Sequence, residues 1–471
     1  MSSFARISLL LSGALLAGCS FRMDPVENPV KLPVAWDAAG TTTGDAVPQD
    51  WWKRFDSPVL SQLVDEAMAG SPTLKIAQER VRQAERALSV ARDDLLPDLS
   101  VNASTSRTRN GASGVPDTIR SSTSVSGQLR YDVDLWGGRA AGLRSSKATL
   151  AGIRYDLDAA RLTLTANVAT QYFQLLSIRA RVAIARDNLA VAERLLRIVD
   201  ARYRNGVARQ LDLTQQTTSV LQQRTNLIPL EAQMRQTETA LGLLLGRVPQ
   251  DFRVDGESFE RIAIPAIQPW VPSELLLRRP DIAAAETDLS AAHANIAVAR
   301  ANLLPGAISL TATGNRVSPE LLSLANATNT FSLGGALSIV ESVFTFRARN
   351  VQLANARSSA FITLQNYASS IRTALKNVDD SLANAQTNQR REESQGAVVE
   401  QAQRALTLAE AAYREGSGDL SSILDAQRTL FTAQDQLSQI RLSRLNSAID
   451  LYVALGGGWS ASSGEAIASR R

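Results

Sequence analysis

Residues 72–97 read PTLKIAQERVRQAERALSVARDDLLP and residues 280–305 read PDIAAAETDLSAAHANIAVARANLLP; laid one over the other, they decide the fold. Leu95-Leu96-Pro97 returns as Leu303-Leu304-Pro305 at an offset of 208. Ahead of it, Leu74, Ala77, Val81, Ala84, Leu88, Ala91 and Leu95 step by three and four, and Ile282, Ala285, Leu289, Ala292, Ile296, Ala299 and Leu303 repeat the steps at the same offset. Such spacing puts the apolar side chains on one stripe of a helix, and the alanines narrow the stripe to a seam that lets helices approach closely. Arg139 maps to Arg347 by the same rule. Farther along the offset becomes 210: Leu189, Ala192, Leu196, Val199 and Tyr203 match Val399, Ala402, Leu406, Ala409 and Tyr413, and Gly206 matches Gly416. A chain of 471 residues would suggest about three domains on length alone; the repeat makes it a duplication instead.

Between the paired seams the composition changes. Residues 98–107 and 121–134 are rich in Ser, Thr and Val, and 109–120 between them hold Gly111, Gly114 and Pro116, the pattern of two strands and a loop. Residues 307–316 and 329–340 are their counterparts, around a turn-rich piece with Pro319. Each stretch suits the roughly 9 to 11 residues of a transmembrane strand. Four strands cannot close a barrel, and an open edge in lipid would strand backbone groups at several kcal/mol each, so several subunits must share one barrel.

After the strands come very long helical stretches. Gly206 lies 67 positions beyond Arg139 and Gly416 lies 69 beyond Arg347, with no proline in either span. A continuous helix there would reach roughly 100 Å at 1.5 Å per residue. The glycines stop it, and Leu430, Ala433, Leu437 and Ile440 then resume the seam, so each half adds a helical hairpin with its tip near 206 or 416. Pro229 should break or kink the first return helix.

Composition removes most other functions. Lys+Arg number 50 against 46 Asp+Glu, a net +4 spread along the chain, which is no basic face for nucleic acid. One histidine, His293, and one cysteine, Cys19, exclude His- or Cys-rich metal sites, cysteine-histidine catalysis and an internal disulfide. His293 lies off its helical seam and reads as a surface or groove position. Asp93-Asp94 and Asp379-Asp380 diverge by about 100° on a helix and read as solvated faces. With no nucleophile-base pair or ligand cluster, the chain reads as no enzyme, needing no cofactor.

Residues 1–18 read as a signal peptide: Arg6, an apolar run too short to span a bilayer, then Ala17-Gly18. Leu16-Ala17-Gly18-Cys19 resembles the bacterial lipobox, which implies cleavage before Cys19 and a covalent lipid such as palmitate upon it. Ser20 rather than aspartate follows, and that resemblance favours the outer membrane.

Five motifs in order carry a wider resemblance: Trp52 with Phe55 and Leu60; Tyr131-Asp132-Val133-Asp134-Leu135-Trp136-Gly137-Gly138-Arg139; Ile228-Pro229-Leu230-Glu231; Leu277-Arg278-Arg279-Pro280-Asp281-Ile282; and Leu424-Asp425-Ala426-Gln427-Arg428. From Cys19 to Trp459 the chain resembles an outer-membrane factor of the TolC family, in its lipoprotein branch of OprM- and NodT-like channels. The resemblance implies a homotrimer whose four strands per chain form a shared 12-stranded barrel in outer-membrane lipid, above a long periplasmic α-helical barrel. It implies an exit duct for small toxic compounds or drugs, fed by an inner-membrane resistance-nodulation-division transporter through a periplasmic adaptor protein. An exit duct for type I protein secretion and a non-conducting lipid-anchored helical scaffold are the alternatives.

The resulting division is a leader at 1–18; a lipid-anchored extended segment at 19–58; a first repeat at 59–246; an equatorial linker at 247–273; a second repeat at 274–456; and a tail at 457–471. By motif position the resemblance puts the periplasmic gate on Asp212, Tyr413, Ser422 and Asp425. Ser422 stands where some members carry a second acidic residue and Gly418 where some carry a basic one, and Arg209 or Arg414 could substitute for the missing base. A helix cap is the other reading of Asp212 and Asp425. Trp136, Gly137 and Gly138 form the strand-to-helix turn, with Trp136 as interfacial anchor and the glycines allowing the change of direction.

Overall fold

A computed structural model describes residues 30–33, 36, 47–112, 114–267, 272–275, 277–304, 307–338 and 343–460. The leader, Cys19, residues 268–271 of the linker and residues 461–471 of the tail lie outside them. Among the described residues, seven helices longer than one turn and four strands run in two similar series, α1 (Pro58–Gly70), α2 (Pro72–Asp93), β1 (Asp98–Ala112), β2 (Val115–Val133), α3 (Gly138–Arg204) and α4 (Gln210–Leu244), then, after a short turn of helix at Pro272–Leu275, α5 (Pro280–Leu303), β3 (Ala307–Ser318), β4 (Thr328–Ser338), α6 (Val343–Arg414) and α7 (Leu420–Ala454). At 67 and 72 residues, α3 and α6 are rods of roughly 100 Å. Among the described residues no helix is long and apolar enough to cross a membrane.

The strands form one antiparallel sheet in the order β1-β2-β3-β4, leaving β1 and β4 as edges. Directly opposed residues share a face and alternate residues change face. Leu99 therefore sides with Leu129, Ala312 and Leu333, and Val101 with Gly127, Gly314 and Phe331. The other face carries Asn102, Ser104, Ser124, Gln128 and Thr313, with Ser104 and Ser124 hydroxyls 2.8 Å apart. An apolar face backed by a hydroxyl and amide face is the pattern of a barrel wall between lipid and water.

Three sequence expectations change. Residues 109–120 are not a loop, because pairing continues through Arg109↔Ile119 and Asn110↔Thr118 to a tight turn at Gly114, whose φ is +86°. Backbone pairing with the partner strand sets this extension, whatever the side chains. Nor does Pro229 end a helix: α4 runs unbroken past it. Arg224–Glu193 and Arg186–Glu231, each at 2.7 Å, tie α4 to α3 on both sides of the proline, so contacts with the neighbouring rod flank the missing hydrogen bond. Finally, the end of the segment 19–58 is not extended. Trp51–Phe55 is a 3-10 turn whose Trp51 and Phe55 are fully buried.

Those rings open the main core, where the chain's few aromatics gather. Trp51 stacks on Tyr452 at 5.2 Å and Phe55 lies 5.0 Å from Phe173. The linker belts this core: Arg179 donates to the Val254 carbonyl at 2.8 Å, Arg441 to those of Glu260 and Ile262 at 2.9 and 3.1 Å, and Tyr172 to Glu257 at 3.0 Å. Arg279, buried beside its motif proline, chelates Asp281 at 2.9 and 2.7 Å and donates to the Ala454 carbonyl at 2.9 Å. This fastens the second repeat's start to its end. The tail stays packed through Trp459, whose indole donates to Asp158 at 3.0 Å.

Candidate functional site at the helical tips

Both hairpin tips are built alike. Gly206 and Gly416 sit at φ +71° and +80°. Val207 donates back to the Arg202 carbonyl at 2.8 Å and Ser417 to that of Ala412 at 2.9 Å, satisfying carbonyls that a helix end leaves open. The left-handed glycine turns the chain through each tip.

The charges at the two tips differ. In the first, Asp212 is the third residue of α4 and reaches back to the Arg209 backbone N–H at 3.0 Å, with the Arg209 guanidinium at 3.1 Å. That backbone hydrogen bond, helped by the guanidinium, holds the Asp212 carboxyl below its ordinary value. In the second, the carboxylate is Asp419, the residue before α7, which accepts from the Ser422 N–H at 2.8 Å and hydroxyl at 2.7 Å and from the Ser421 hydroxyl at 2.9 Å. These bonds, the Ser422 hydroxyl first, lower its pKa, and Arg209 adds a weaker attraction. The two tips thus carry opposite halves of a capping box.

Tyr413 is buried at 8% exposure, in a cluster with Leu195, Val199, Leu406, Leu420 and Ile423. Its partner is Arg202 on the other hairpin: the guanidinium lies 4.4 Å from the ring centre and donates to the Tyr413 carbonyl at 2.9 Å. Asp425 is exposed and pairs with Arg428 at 2.8 Å, one turn along the same helix. The four residues expected to form the gate therefore do not converge within one chain. Asp212 and Ser422 belong to helix caps and Asp425 to a surface ion pair, while Tyr413 alone joins hairpin to hairpin. At Gly418, where a basic residue can occur in relatives, an added Cβ would stand 3.0 Å from that of Ala412, a tight approach.

Sequence reasoning missed Arg202 and Asp419, yet a signal existed. At the 210 offset Arg202 faces Ala412, Arg209 faces Asp419 and Asp212 faces Ser422, so the seam repeats while the charges do not. Above the tips, α4 and α7 stand apart over α3 and leave a groove of about 1060 Å³ lined by Arg181, Asn188, Gln215, Gln222 and Arg428. Arg181 holds Asp435 at its floor, at 2.6 and 3.3 Å.

At the other end of α3, the strand-to-helix turn is pinned by two aspartates. Asp134 accepts from the Arg139 and Ala140 N–H groups at 3.2 and 2.9 Å, capping the helix. Asp132 binds the Arg139 and Arg130 guanidinium groups at 2.9 and 3.1 Å and the Ser309 hydroxyl of β3 at 2.6 Å. Gly137 takes φ +71°, and Gly138 lets the helix start approach Ala301, whose Cβ would be 2.9 Å from one added there. Trp136 beside them is 49% exposed.

Known proteins resemble the chain over most of its length. Residues 63–247 and 271–457 match the family described as outer membrane efflux protein. The chain is 35% identical over 470 residues to the pyoverdine export outer membrane protein OpmQ of Pseudomonas aeruginosa, covering 97% of this chain and 98% of that protein. It is 30% identical over 477 residues to the toluene efflux pump outer membrane protein TtgC of Pseudomonas putida, covering 98% and 97%. Among solved structures, the outer-membrane channel OprN superposes with a TM-score of 0.82 at 26% identity, over 93% of this chain and 99% of that one. CusC superposes with a TM-score of 0.83 at 25% identity, over 93% and 100%.

Proposed function

The chain belongs to the outer membrane efflux protein family, and from that premise we propose how this outer-membrane exit duct of an efflux system is assembled, anchored, gated and fed. The observation that carries the proposal is the four-stranded sheet with two unpaired edges set at one end of helical rods roughly 100 Å long. Three copies joined β4 to β1 give a 12-stranded barrel without edges. Its apolar face meets lipid, its hydroxyl and amide face lines water, and the rods continue the tube into the periplasm. Cys19 carries a covalent lipid that tethers the trimer to the membrane.

The duct conducts passively, and its cargo is small toxic molecules, drugs among them. The named relatives export pyoverdine in one case and toluene in another, so cargo varies on one scaffold. Energy comes from an inner-membrane resistance-nodulation-division transporter. A periplasmic adaptor joins it to the tips, with the groove between α4 and α7, rich in amides and hydroxyls, as a surface for the adaptor's helices. The tips form the resting gate. Tyr413 locks one hairpin to the other, while Asp212, Ser422 and Asp425 shape and charge the rim. Light scattering of the detergent-purified protein should give a trimer mass, and planar bilayers should show discrete conductance steps. A stable monomer without steps refutes the duct.

A further inference from the structure

Along β2 the lipid-side face is apolar or small from Val133 through Tyr131, Leu129 and Gly127 to Val125. At about 3.3 Å per residue and a strand tilt of about 40°, that span stands roughly 20 Å tall, close to the apolar band of a membrane barrel. At its upper edge and beyond, toward the hairpin turns, the same face changes character. Register places Arg107 beside Ser121, Arg109 beside Ile119, and Arg316 beside Val125 and Asn329. Arg107 and Arg316 are exposed, and the residues directly opposite them in the register, Ser121, Val125 and Asn329, carry no charge. The turn between β3 and β4 folds over the same face. The Thr123 hydroxyl donates to the Glu320 carbonyl at 2.7 Å and accepts from the Leu322 N–H at 2.9 Å. Leu321 and Leu322, 44% and 79% exposed, are thereby set near Arg316. Arg316 donates one N–H to the Leu324 carbonyl at 3.2 Å and keeps others for a ligand.

Arginine on the lipid face is costly at mid-membrane and tolerated at headgroup height. Its planar fork also matches two phosphate oxygens at once. We propose that this rim binds the phosphorylated glycolipid of the outer leaflet. Arg107 and Arg316 take its phosphates, and its acyl chains lie on Leu321, Leu322 and the band of Phe331 and Leu333 below. Repeated three times around a barrel, the rim forms a girdle that fixes the barrel's height in the membrane.

The test is native mass spectrometry of the detergent-solubilised protein, titrated with diphosphoryl lipid A or with its dephosphorylated form. Each arginine at an anionic surface contributes about fivefold in affinity, so Arg107→Ser with Arg316→Ser should weaken diphosphoryl lipid A binding about 25-fold. Wild type should hold the dephosphorylated form at least tenfold more weakly. Arg120→Ser removes one positive charge from the opposite face of β2, where Arg120 pairs with Thr108, and should change nothing, whereas each single variant at Arg107 or Arg316 should cost about fivefold. Equal binding of both lipids by wild type overturns the proposal even if the double variant fails to fold. So does undiminished binding by the double variant, or an equal loss in Arg120→Ser.

Discussion

Removing Arg202 should open the resting channel. Its guanidinium makes the hydrogen bond and ring contact that cross from the first hairpin to Tyr413 on the second. A hydrogen bond from a charged group contributes about 1.5–3 kcal/mol and a cation over a ring about 0.5–2 kcal/mol. Arg202 is partly exposed, so solvent screening argues for the low end, about 2 kcal/mol in each chain. Every 1.4 kcal/mol is tenfold, so Arg202→Ala should raise a single chain's open fraction about 30-fold, and that of three chains opening together by about 10⁴. Single-channel recording in planar bilayers reads this directly as open probability. Both contacts go to the ring and the carbonyl, so Tyr413→Phe should leave gating nearly as in wild type. Asp212→Ala removes a cap of about 1 kcal/mol and should fray the start of α4 without opening the channel. If Arg202→Ala stays closed while Tyr413→Phe opens, the Tyr413 hydroxyl holds the gate and the reasoning from this geometry fails.

Cys19→Ala should abolish uptake of radioactive palmitate while membrane association weakens rather than vanishes; a wild type that takes up no label removes the lipid anchor. Asp425→Ala should lower cation selectivity and weaken block by trivalent cations, and Arg428→Ala, which frees the Asp425 carboxylate, should do the reverse; reversal potentials unchanged in both would move the constriction elsewhere. The Asp212 and Asp419 carboxyls sit below their ordinary values, so their capping contribution is complete above about pH 4 and is lost as pH falls through the lowered values. Hydrogen exchange in the first turns of α4 and α7 should therefore accelerate relative to mid-α3 between pH 6 and pH 3, with Asp419→Asn insensitive at α7; a constant ratio in wild type would refute the caps.

The helical seams were legible because leucine and alanine at steps of three and four serve burial, and burial has one periodicity per element. The strands were legible only where one face meets lipid. Beyond Thr123, β2 loses β3 as a neighbour, and its pairing with β1 through Arg120 and Thr118 rests on backbone alone. Glycine, proline and arginine there looked like a loop because their side chains report the surroundings and not the ladder. The break that Pro229 suggested fails for a related reason: its local penalty was plain, and the ion pairs that span it join residues far apart in sequence. At the tips, resemblance named positions but not partners. Asp212 could equally reach a neighbouring hairpin or its own helix start, and only coordinates show the second.

The mismatch between the repeats also bears on how the tube can open. A duplicated chain in three copies makes a ring of six similar hairpins, and if the repeats were identical in charge, no hairpin would have reason to move before another. They are not identical. Asp132 and Asp134 fix the start of α3 to the barrel, whereas the positions 208 farther on are Val340 and Ser342, so α6 lacks those two aspartates at its root. At the far end Arg202 reaches from the first hairpin to the second, and its counterpart is Ala412. The first hairpin is thus pinned at its root by Asp132 and Asp134, and on the proposed gating Arg202 of that hairpin is the latch that holds the second. Releasing Arg202 should therefore let α6 and α7 swing while α3 and α4 keep their place. Spin labels at Arg404 and at Arg194 would separate the two motions, since in Arg202→Ala only distances across the ring between α6 positions should broaden. Equal broadening at both sites would mean that the six hairpins open as one iris.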